Sequence, residues 1–232
     1  MAIATVPGLE VRDLYRFYRA VGEDAMALRG VDLMVHAGEL VAIVGPSGSG
    51  KSTLLSLLAG LDEPTAGEVL IDGVRFSRRP EAERARFRAR SVGILRQSGN
   101  LFDQLDLLAN IRIAQQAAGH RRSDPARAAE LLASVGLPDR ASAHPGELSG
   151  GEVARAGLAV ALANEPTVLL ADEPTGELDG GNEQRVLELL VAAARAGCSV
   201  VLATHSPRVM AVADRVVELR EGRVVSPGRA AA

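Results

Sequence analysis

The sequence predicts an α/β fold with a mostly parallel β-sheet core, an antiparallel β region near the N-terminus and an inserted helical subdomain. Near-continuous apolar runs typical of buried parallel strands, such as ELVAIVG, TVLLAD and CSVVLAT, alternate with stretches of helical apolar spacing such as LLSLLAGL. This alternation favours parallel strands connected by helices. Between about residues 98 and 162 the pattern changes to successive helical segments, LLANIRIAQQAA and PARAAELLASVGL, which indicate the inserted subdomain.

The N-terminal part of the chain predicts short strands joined by turns. LEVRDL is followed by the turn-like AVGED, and ALRGVDLMV then precedes ELVAIVG. No internal repeat, low-complexity block or linker interrupts the chain, and a short tail after Pro227 is expected to be frayed. We therefore expect residues 1–232 to form a single domain.

The composition is that of a packed protein and gives no sign of a membrane span or a nucleic-acid partner. Hydrophobic residues make up 47% of the 232 residues and charged residues 24%, and the formal net charge is −3. The chain contains no uncharged apolar run of about 18 residues. Its beginning, MAIATVPGLEVRD, has neither a basic leader nor an apolar signal core. We expect a cytoplasmic protein that does not bind nucleic acid.

Basic residues and cysteine are distributed unevenly. The stretch RFSRRPEAERARFRARS, from Arg75 to Ser91, holds seven arginines and two acids. A solvated helix face is favoured there over an anion-binding patch.

Lys51 is the only lysine among 26 basic residues, which indicates a position that needs a compact ammonium. Cys198, the only cysteine, lies in an apolar run and is expected to be buried and inert.

The segment GPSGSGKS, from Gly45 to Ser52, matches the pattern of a phosphate-binding loop and lies between a predicted strand and a predicted helix. Glycines let backbone N–H groups surround a β-phosphate at a helix N-terminus, and the ammonium of Lys51 can reach the β- and γ-phosphates. The hydroxyl of Ser52 can bind Mg²⁺. The candidate ATP-binding residues of this loop are Gly45, Pro46, Ser47, Gly48, Ser49, Gly50, Lys51, Ser52 and Thr53.

Four polar residues near the ends of apolar runs complete a site for hydrolysis of a nucleoside triphosphate. Asp172 ends the strand TVLLAD and is suited to orient Mg²⁺, and Glu173 is suited to polarise the attacking water. Gln97 follows VGIL, so its amide can sense the γ-phosphate or the metal. His205 follows VVLAT, where the end of a parallel strand faces a nucleotide crevice, and its imidazole can hold the γ-phosphate and the water.

Five segments in this order, GPSGSGKST, the glutamine at position 97, LSGGE, LLADEPTGELD and ATHSP, resemble the nucleotide-binding subunits of ABC transporters over nearly the whole chain. Within that family, GLDEPTAGEVLIDG, PGELSGGE and ADEPTGELD resemble the branch that serves lipoprotein release, macrolide and peptide export and the cell-division transporter-like complex. The resemblance implies the phosphate-loop fold of an ABC ATPase. It also implies ATP and Mg²⁺ as ligands.

The resemblance also assigns roles to single residues. Tyr18 corresponds to the aromatic residue that stacks on adenine, although Tyr15 and Phe17 are close enough to fill that role. In the family two subunits pack head to tail, and the LSGGE signature of one covers the ATP held by the other. The residues implied by the family pattern are Ser149, Gly150 and Gly151 in the signature, Glu173 as catalytic carboxylate, Asp179 in the loop that crosses between subunits, and His205 as the switch histidine.

The chain departs from the family pattern after the signature. Val153 and Ala154 stand where the family usually has two glutamines, and Val160 stands where a second arginine is expected. Neither change removes a phosphate or water ligand, so hydrolysis is expected to survive. The departures leave open whether the second ATP-binding subunit is an identical chain or a related one.

The favoured function is an ATPase subunit that drives a separate integral-membrane permease from the cytoplasmic face of the membrane. An apolar cleft for the permease and packing within the helical subdomain are equally compatible with the sequence of the leucine-rich segment after Gln97. The second hypothesis is a soluble ABC ATPase that acts on ribosomes, DNA or iron–sulphur assembly. The residues of the candidate cleft are Phe102, Leu105, Leu107 and Leu108.

Overall fold

The protein is described by a computed structural model that covers residues 6–19, 24–119 and 125–226. The expectations for the first five residues, for the turn at residues 20–23 and for the tail after Pro227 concern residues outside these ranges. The described part contains two β-sheets, one of four strands and one of six.

The N-terminal strands form an antiparallel sheet, as predicted. Its strand order is β2-β1-β4-β5, and all of its pairings are antiparallel. Strands β4 and β5 were not predicted, because their segment AGEVLIDGVR is short and interrupted by a turn. The bounds are β1 Leu9–Arg19, β2 Asp24–Val35, β4 Ala66–Ile71 and β5 Val74–Arg75.

The six-stranded sheet forms the core and is mostly parallel, as predicted. Its order is β10-β9-β3-β8-β7-β6; β9, β3, β8, β7 and β6 run parallel, and β10 pairs with β9 as an antiparallel hairpin. Strand β3 is buried on both faces, which explains its near-continuous apolar sequence. The bounds are β3 Leu40–Val44, β6 Val92–Leu95, β7 Val168–Asp172, β8 Ser199–Ala203, β9 Arg215–Arg220 and β10 Arg223–Ser226.

Alternate residues of the core strands enter two different hydrophobic clusters. Val41 and Ile43 pack towards the antiparallel sheet and α1, whereas Leu40 and Ala42 pack with α6 on the opposite face. The central sheet is therefore covered on both sides. The helices are α1 Lys51–Leu58, α2 Glu81–Ser91, α3 Leu107–Ala117, α4 Pro125–Ser134, α5 Gly150–Ala161, α6 Gly180–Arg195 and α7 Pro207–Val212.

Helices α3, α4 and α5 lie in the region predicted to be helical and share their own apolar cluster. Leu107 is buried in this cluster and Leu108 packs against it, so these two leucines stabilise the helical region. The buried side chain of Asn110 accepts a hydrogen bond from the backbone N–H of Phe102 at 2.7 Å and donates to three carbonyls of the same segment, including that of Phe102. These bonds fix the segment between β6 and α3.

The arginine-rich segment is largely solvated, as predicted from its sequence, because four of its seven arginines and both of its acids are exposed, but three of its arginines also make contacts inside the protein. Arg84 is buried and paired with Glu63 and Glu81. Arg88 donates to the carbonyl of Gly60 at 2.8 Å, and Arg90 donates to that of Ala118 at 2.9 Å. These three arginines connect α2 to α1 and α3, and this role explains why the segment needs long, multidentate side chains.

Two further observations bear on the predicted class of protein. None of the helices within the described ranges is long and apolar enough to cross a membrane. Cys198 is buried as predicted, and this burial raises the pKa of its thiol to about 12, so the reactive thiolate is disfavoured at neutral pH.

Candidate active site

The glycine-rich loop between β3 and α1 is shaped by backbone conformations that favour glycine. Gly45, Gly48 and Gly50 have φ values of 153°, 74° and 106°. A Cβ atom at Gly45 would lie 2.0 Å from the carbonyl oxygen of Leu219, and one at Gly50 would lie 2.6 Å from that of Ala27. A Cβ at Gly48 would meet nothing within 4 Å, so open space adjoins the loop at this point.

Lys51 lies at the start of α1 and is held against the loop. Its side chain is largely buried, with 9% of the residue exposed, and its Nζ donates to the carbonyls of Gly45 at 2.8 Å and Pro46 at 3.1 Å. An ammonium has three donors, so these bonds leave one for an anion in the space beside the loop. The hydroxyl of Ser49 is buried and has no partner among the described residues. The loop therefore fits a phosphate group at a helix N-terminus.

The loop opens into a cavity of about 330 Å³ at the carboxyl edge of the parallel sheet. The structure brings most of the candidate catalytic and metal-binding residues together here, although they come from four separate segments. Ala27, on β2, also lines the cavity and was not identified from the sequence, because an alanine carries no chemical signal. The lining consists of Ala27, Ser47, Gly48, Ser49, Gly50, Lys51, Ser52, Thr53, Gln97, Asp172, Glu173 and His205.

Glu173 and His205 lie next to each other in this cavity. The backbone N–H of His205 donates to Glu173 Oε2 at 3.3 Å, and His205 Nε2 lies 3.6 Å from Glu173 Oε1. The side chain of Glu173 is 23% exposed and that of His205 is 60% exposed. The carboxylate is thus held in place while the imidazole has room to contact a ligand.

Glu173 has a strained backbone with a φ of 46°. Its N–H donates to the carbonyl of Ala203 on β8 at 2.9 Å, and its own carbonyl accepts from the N–H of Gly176 at 3.2 Å. A non-glycine residue in the left-handed region costs on the order of 1 kcal/mol or more, and such strain is concentrated at functional sites. Five other non-glycine residues in the described part of the chain have similar φ values, so the candidate role of this carboxylate depends on its position in the cavity.

Ser52, Gln97 and Asp172 supply a hydroxyl, an amide and a carboxylate to the same cavity. Mg²⁺ prefers such oxygen ligands and is usually bound through few protein groups together with substrate phosphates. The amide nitrogen of Gln97 donates to Glu177 Oε1 at 3.0 Å, so the amide oxygen of Gln97 is oriented away from Glu177. The donor set therefore fits Mg²⁺. Sequence reasoning missed Glu177, because it lies 80 positions from Gln97.

Tyr18 does not line the cavity but lies on the sheet face that leads to it. Its register partner is Ala25 on β2, two residues before the cavity residue Ala27. The hydroxyl of Tyr18 donates to Asp62 Oδ2 at 2.8 Å, and the guanidinium of Arg16 lies 4.4 Å from the centre of the ring. Tyr18 is exposed, whereas Tyr15 and Phe17 are partly buried, so Tyr18 is the most accessible of the three.

Ser149 lies at the start of α5, outside the cavity, in a reciprocal cap with Glu152. The N–H and the hydroxyl of Ser149 each donate to Glu152 Oε2 at 2.9 Å, and Ser149 Oγ accepts from the N–H of Glu152 at 3.3 Å. The hydrogen bonds from Ser149 hold the pKa of Glu152 below its usual value, and the nearby charge of Arg140 makes a smaller contribution in the same direction. The signature serine is therefore anchored to an ionised carboxylate.

Asp179 caps the start of α6 and lies beside the signature. Its carboxylate accepts from the N–H groups of Gly181 and Asn182 and from the side chain of Asn182, at 3.1, 3.0 and 2.9 Å. The bonds from Asn182 contribute most to lowering the pKa of Asp179. A Cβ at Gly151 would lie 2.1 Å from Asn182 Oδ1, so α5 and α6 begin in close contact. Ser149, Gly150 and Asp179 are exposed outside the lining of the cavity, whereas Gly151 is buried between α5 and α6.

Two of the three positions that depart from the family pattern, Ala154 and Val160, lie on the packed side of α5. Ala154 packs against the apolar cluster that contains α6, and Val160 packs against the cluster of the helical region. Val160 also borders a cavity of about 450 Å³ between α2, β6, α3 and α5. That cavity is larger than the one at the glycine-rich loop but contains none of the candidate catalytic residues, so its size does not make it the active site.

Comparison with known proteins identifies relatives over nearly the whole chain. The family profile described as "ABC transporter" matches residues 28–176. The chain is 46% identical over 201 residues to the lipoprotein-releasing system ATP-binding protein LolD 1 of Rhodospirillum rubrum, and the match covers 86% of this chain and 89% of the relative. It is 42% identical over 223 residues to the macrolide export ATP-binding/permease protein MacB of Hyphomonas neptunium. This match covers 96% of this chain but only 35% of MacB.

Solved structures confirm the predicted fold. The dimeric structure of MJ0796, described as a bacterial ABC transporter cassette, matches with a TM-score of 0.88 and 33% identity, covering 97% of this chain and 99% of that chain. A dimer of the same cassette in a post-hydrolysis state, bound to ADP and Pi, also matches with a TM-score of 0.88, at 32% identity. The resemblance to the lipoprotein-release and macrolide-export branch is likewise confirmed.

The contact between Gly151 and Asn182 predicts that Gly151→Ala destabilises the fold, whereas the neighbouring Gly150→Ala does not. The added methyl group at position 151 would clash with Cγ and Cβ of Asn182, at 2.2 and 2.8 Å, so the start of α6 has to move. We expect a loss of about 1–3 kcal/mol in the free energy of unfolding, measured by urea denaturation. At position 150 a Cβ meets nothing within 4 Å, so that variant serves as the control. Equal stability of the two variants would contradict the predicted contact.

Proposed function

The chain belongs to the ABC transporter family, and on that premise we propose that this ATPase powers a separate integral-membrane permease from the cytoplasmic face of the membrane. The observation that carries the proposal is the division of the site into two surfaces. The cavity holds the phosphate loop, Glu173 and His205, whereas the signature lies outside its lining. Two chains packed head to tail would bring the signature of one against the cavity of the other. The dimeric solved structures of similar fold support the association of two chains.

The residues of the cavity have complementary roles in the proposed hydrolysis. Lys51 and the loop N–H groups bind the phosphates, and Glu173 accepts a proton from the attacking water. His205, close to Glu173, holds the γ-phosphate and the water in line. Mg²⁺, bound through Ser52, Asp172 and Gln97, would neutralise phosphate charge. Ser149 of the second chain would turn its single hydroxyl proton from Glu152 to the γ-phosphate, so closure of the dimer completes the site.

Two variants separate ATP binding from hydrolysis. Lys51→Ala should weaken ATP binding, because the ammonium that neutralises phosphate charge is lost. Glu173→Gln should bind ATP normally and lower kcat by about 100-fold or more, because an amide cannot accept the proton from water. The arrested variant should accumulate as an ATP-bound dimer, which size-exclusion chromatography detects. Multi-turnover hydrolysis by Glu173→Gln at the rate of the unchanged protein would show that another group is the base.

Mixing two inactive chains tests whether the signature acts on the partner's ATP. Lys51→Ala removes phosphate binding, and Ser149→Arg places a bulky side chain where a short hydroxyl is needed, so each variant alone should lack activity. If the signature acts in trans, a mixed dimer has one site with both lesions and one intact site. We therefore expect ATPase activity to return on mixing.

If instead the signature acts in cis, on the ATP held by its own chain, every site of the mixed dimer keeps one lesion. Recovery of activity is therefore incompatible with a signature that acts in cis. A geometric check uses single cysteines introduced near Gly45 and near Ser149, in a Cys198→Ser, Glu173→Gln background. ATP should promote crosslinking between chains, either between two copies of this chain or with a co-purified related subunit. No intermolecular crosslink in either sample would contradict head-to-tail packing.

Phe102 offers a contact for the permease. It is 57% exposed, although the segment that carries it is fixed by Asn110, and it follows Gln97 by five positions. Leu61, which is also exposed, borders a further cavity of about 280 Å³ together with Arg96. Single exposed apolar side chains are common on protein surfaces, so the proposal depends on the fixed position of Phe102 in the segment that follows Gln97. Of the four residues considered for the cleft, Phe102 therefore remains available, whereas Leu107 packs inside the subdomain.

We expect Phe102→Ala to reduce co-purification of the native membrane protein while leaving the unfolding transition unchanged. Met34→Ala removes an exposed apolar side chain from β2 and serves as the matched control. The partner is identified from the native complex by mass spectrometry. Recovery of only soluble partners with the unchanged protein would contradict a transport role and favour a soluble ABC ATPase.

A further inference from the structure

Glu183 is a carboxylate in the first turn of α6 that joins three segments around the active site. Its side chain is only 14% exposed. Its Oε1 accepts from the hydroxyl of Ser206 at 2.7 Å and lies 3.5 Å from the hydroxyl of Thr175, at the long limit of hydrogen bonding. Its Oε2 accepts from Arg208 Nη1 at 3.1 Å. The roles derived above for the active site make no use of this carboxylate.

The side chain of Ser206 bonds to Glu183 and does not cap the helix that it precedes. It is the residue that precedes α7, where a serine normally accepts a hydrogen bond from the first turn of the helix. No such side-chain cap is present, and its hydroxyl instead donates to Glu183, 23 positions away. Such a preference for a distant partner indicates that the position of Ser206 is fixed by the tertiary structure.

The partners of Glu183 lie close in sequence to Glu173 and His205, two of the residues that line the cavity. Thr175 is buried and follows Glu173 by two positions, and Ser206 directly follows His205. Arg208 also donates to the carbonyl of Gly180 at 3.3 Å, which joins the start of α7 to the residue after Asp179. One carboxylate thus connects the loops after β7 and β8 with the start of α6.

We propose that Glu183 is a positioning residue that aligns Glu173 with His205 by holding Thr175, Ser206 and Arg208 together. This inference rests on the proposed roles of Glu173 and His205 in hydrolysis. The strained backbone of Glu173 requires that its neighbours restrain it, and the hydroxyl of Thr175 is one point at which Glu183 can do so. Arg208 compensates the negative charge of Glu183, so the carboxylate does not oppose phosphate binding nearby.

The test compares Glu183→Ala, Glu183→Gln and Ser206→Ala in the full chain, together with its co-purified partner. Glu188→Ala is the matched control, since Glu188 lies on the same helix and forms an exposed ion pair with Arg185. We expect Glu183→Ala to lower kcat about tenfold while KM for ATP changes less than about twofold, because misalignment affects the reacting groups and not phosphate binding. Glu183→Gln should lose less activity, since its amide oxygen can still accept from Ser206.

A second readout does not depend on turnover. The imidazole resonance of His205, assigned by comparison with His205→Gln, should shift in Glu183→Ala and Ser206→Ala and stay in place in Glu188→Ala. The double variant Glu183→Ala, Ser206→Ala should be no slower than Glu183→Ala alone, because the serine acts through the carboxylate. If Glu183→Ala does not fold, Glu183→Gln and Ser206→Ala provide the same comparison.

An unchanged kcat in all folded variants, a raised KM at constant kcat, or an unshifted His205 resonance would overturn the positioning role. These outcomes are distinct from failure of the proposed function. If the unchanged complex hydrolyses ATP and Glu173→Gln is as active as the unchanged protein, the assignment of the base is wrong. If Glu173→Gln is arrested and the Glu183 variants are fully active, only the positioning role is wrong.

Discussion

The register of the parallel sheet is the constraint on which the active site depends. Ile43 pairs with Ala203, and Ala203 in turn pairs with Asp172, so β3, β8 and β7 end at the same level. The phosphate loop, Glu173 and His205 follow these ends directly, which is why residues far apart in the chain line one cavity. A slip of one residue in any of these pairings would turn the alternate side chains to the wrong face and would separate the catalytic groups.

In the proposed head-to-tail dimer, one chain would contribute the cavity and the other the signature. The cavity presents Lys51 and the glycine-rich loop, which fit an anion, whereas Ser149 lies at the start of a helix, where negative charge is favoured. Ser149 is bonded to Glu152, and an ionised carboxylate would repel an incoming phosphate if it were not paired. Arg140 donates to Glu152 at 3.2 Å and compensates that charge. Each half is therefore preorganised separately, and association of two chains, rather than local folding, is what would bring the halves together.

Sequence reasoning predicted the parts of the fold that local patterns determine. The buried strands β3, β7 and β8 have continuous apolar sequences, and the phosphate loop has a spacing that few other structures require. The hairpin of β9 and β10 was not predicted, since its strands RVVELR and RVVS carry charges that blur the apolar pattern. The exposed side of the arginine-rich segment was predicted, but the contacts of Arg84 with Glu63 and of Arg90 with Ala118 were not, because these partners come from other elements. Long-range pairs such as Gln97 with Glu177 leave no local signal at all.

In this site the backbone and carboxylate of Glu173 are restrained by hydrogen bonds, whereas the imidazole of His205 is free to turn. The backbone of Glu173 is bonded to Ala203, and its carboxylate accepts from the N–H of His205, so the proposed base is restrained by the neighbouring strand. The imidazole of His205 is mostly exposed, and its backbone is fixed through Ser206 and Glu183. A side chain that can turn on a fixed backbone can respond to a γ-phosphate without moving the base. The loop at Asp179 begins the helix that carries Glu183, so a partner chain that contacts this loop would act on the same rigid unit.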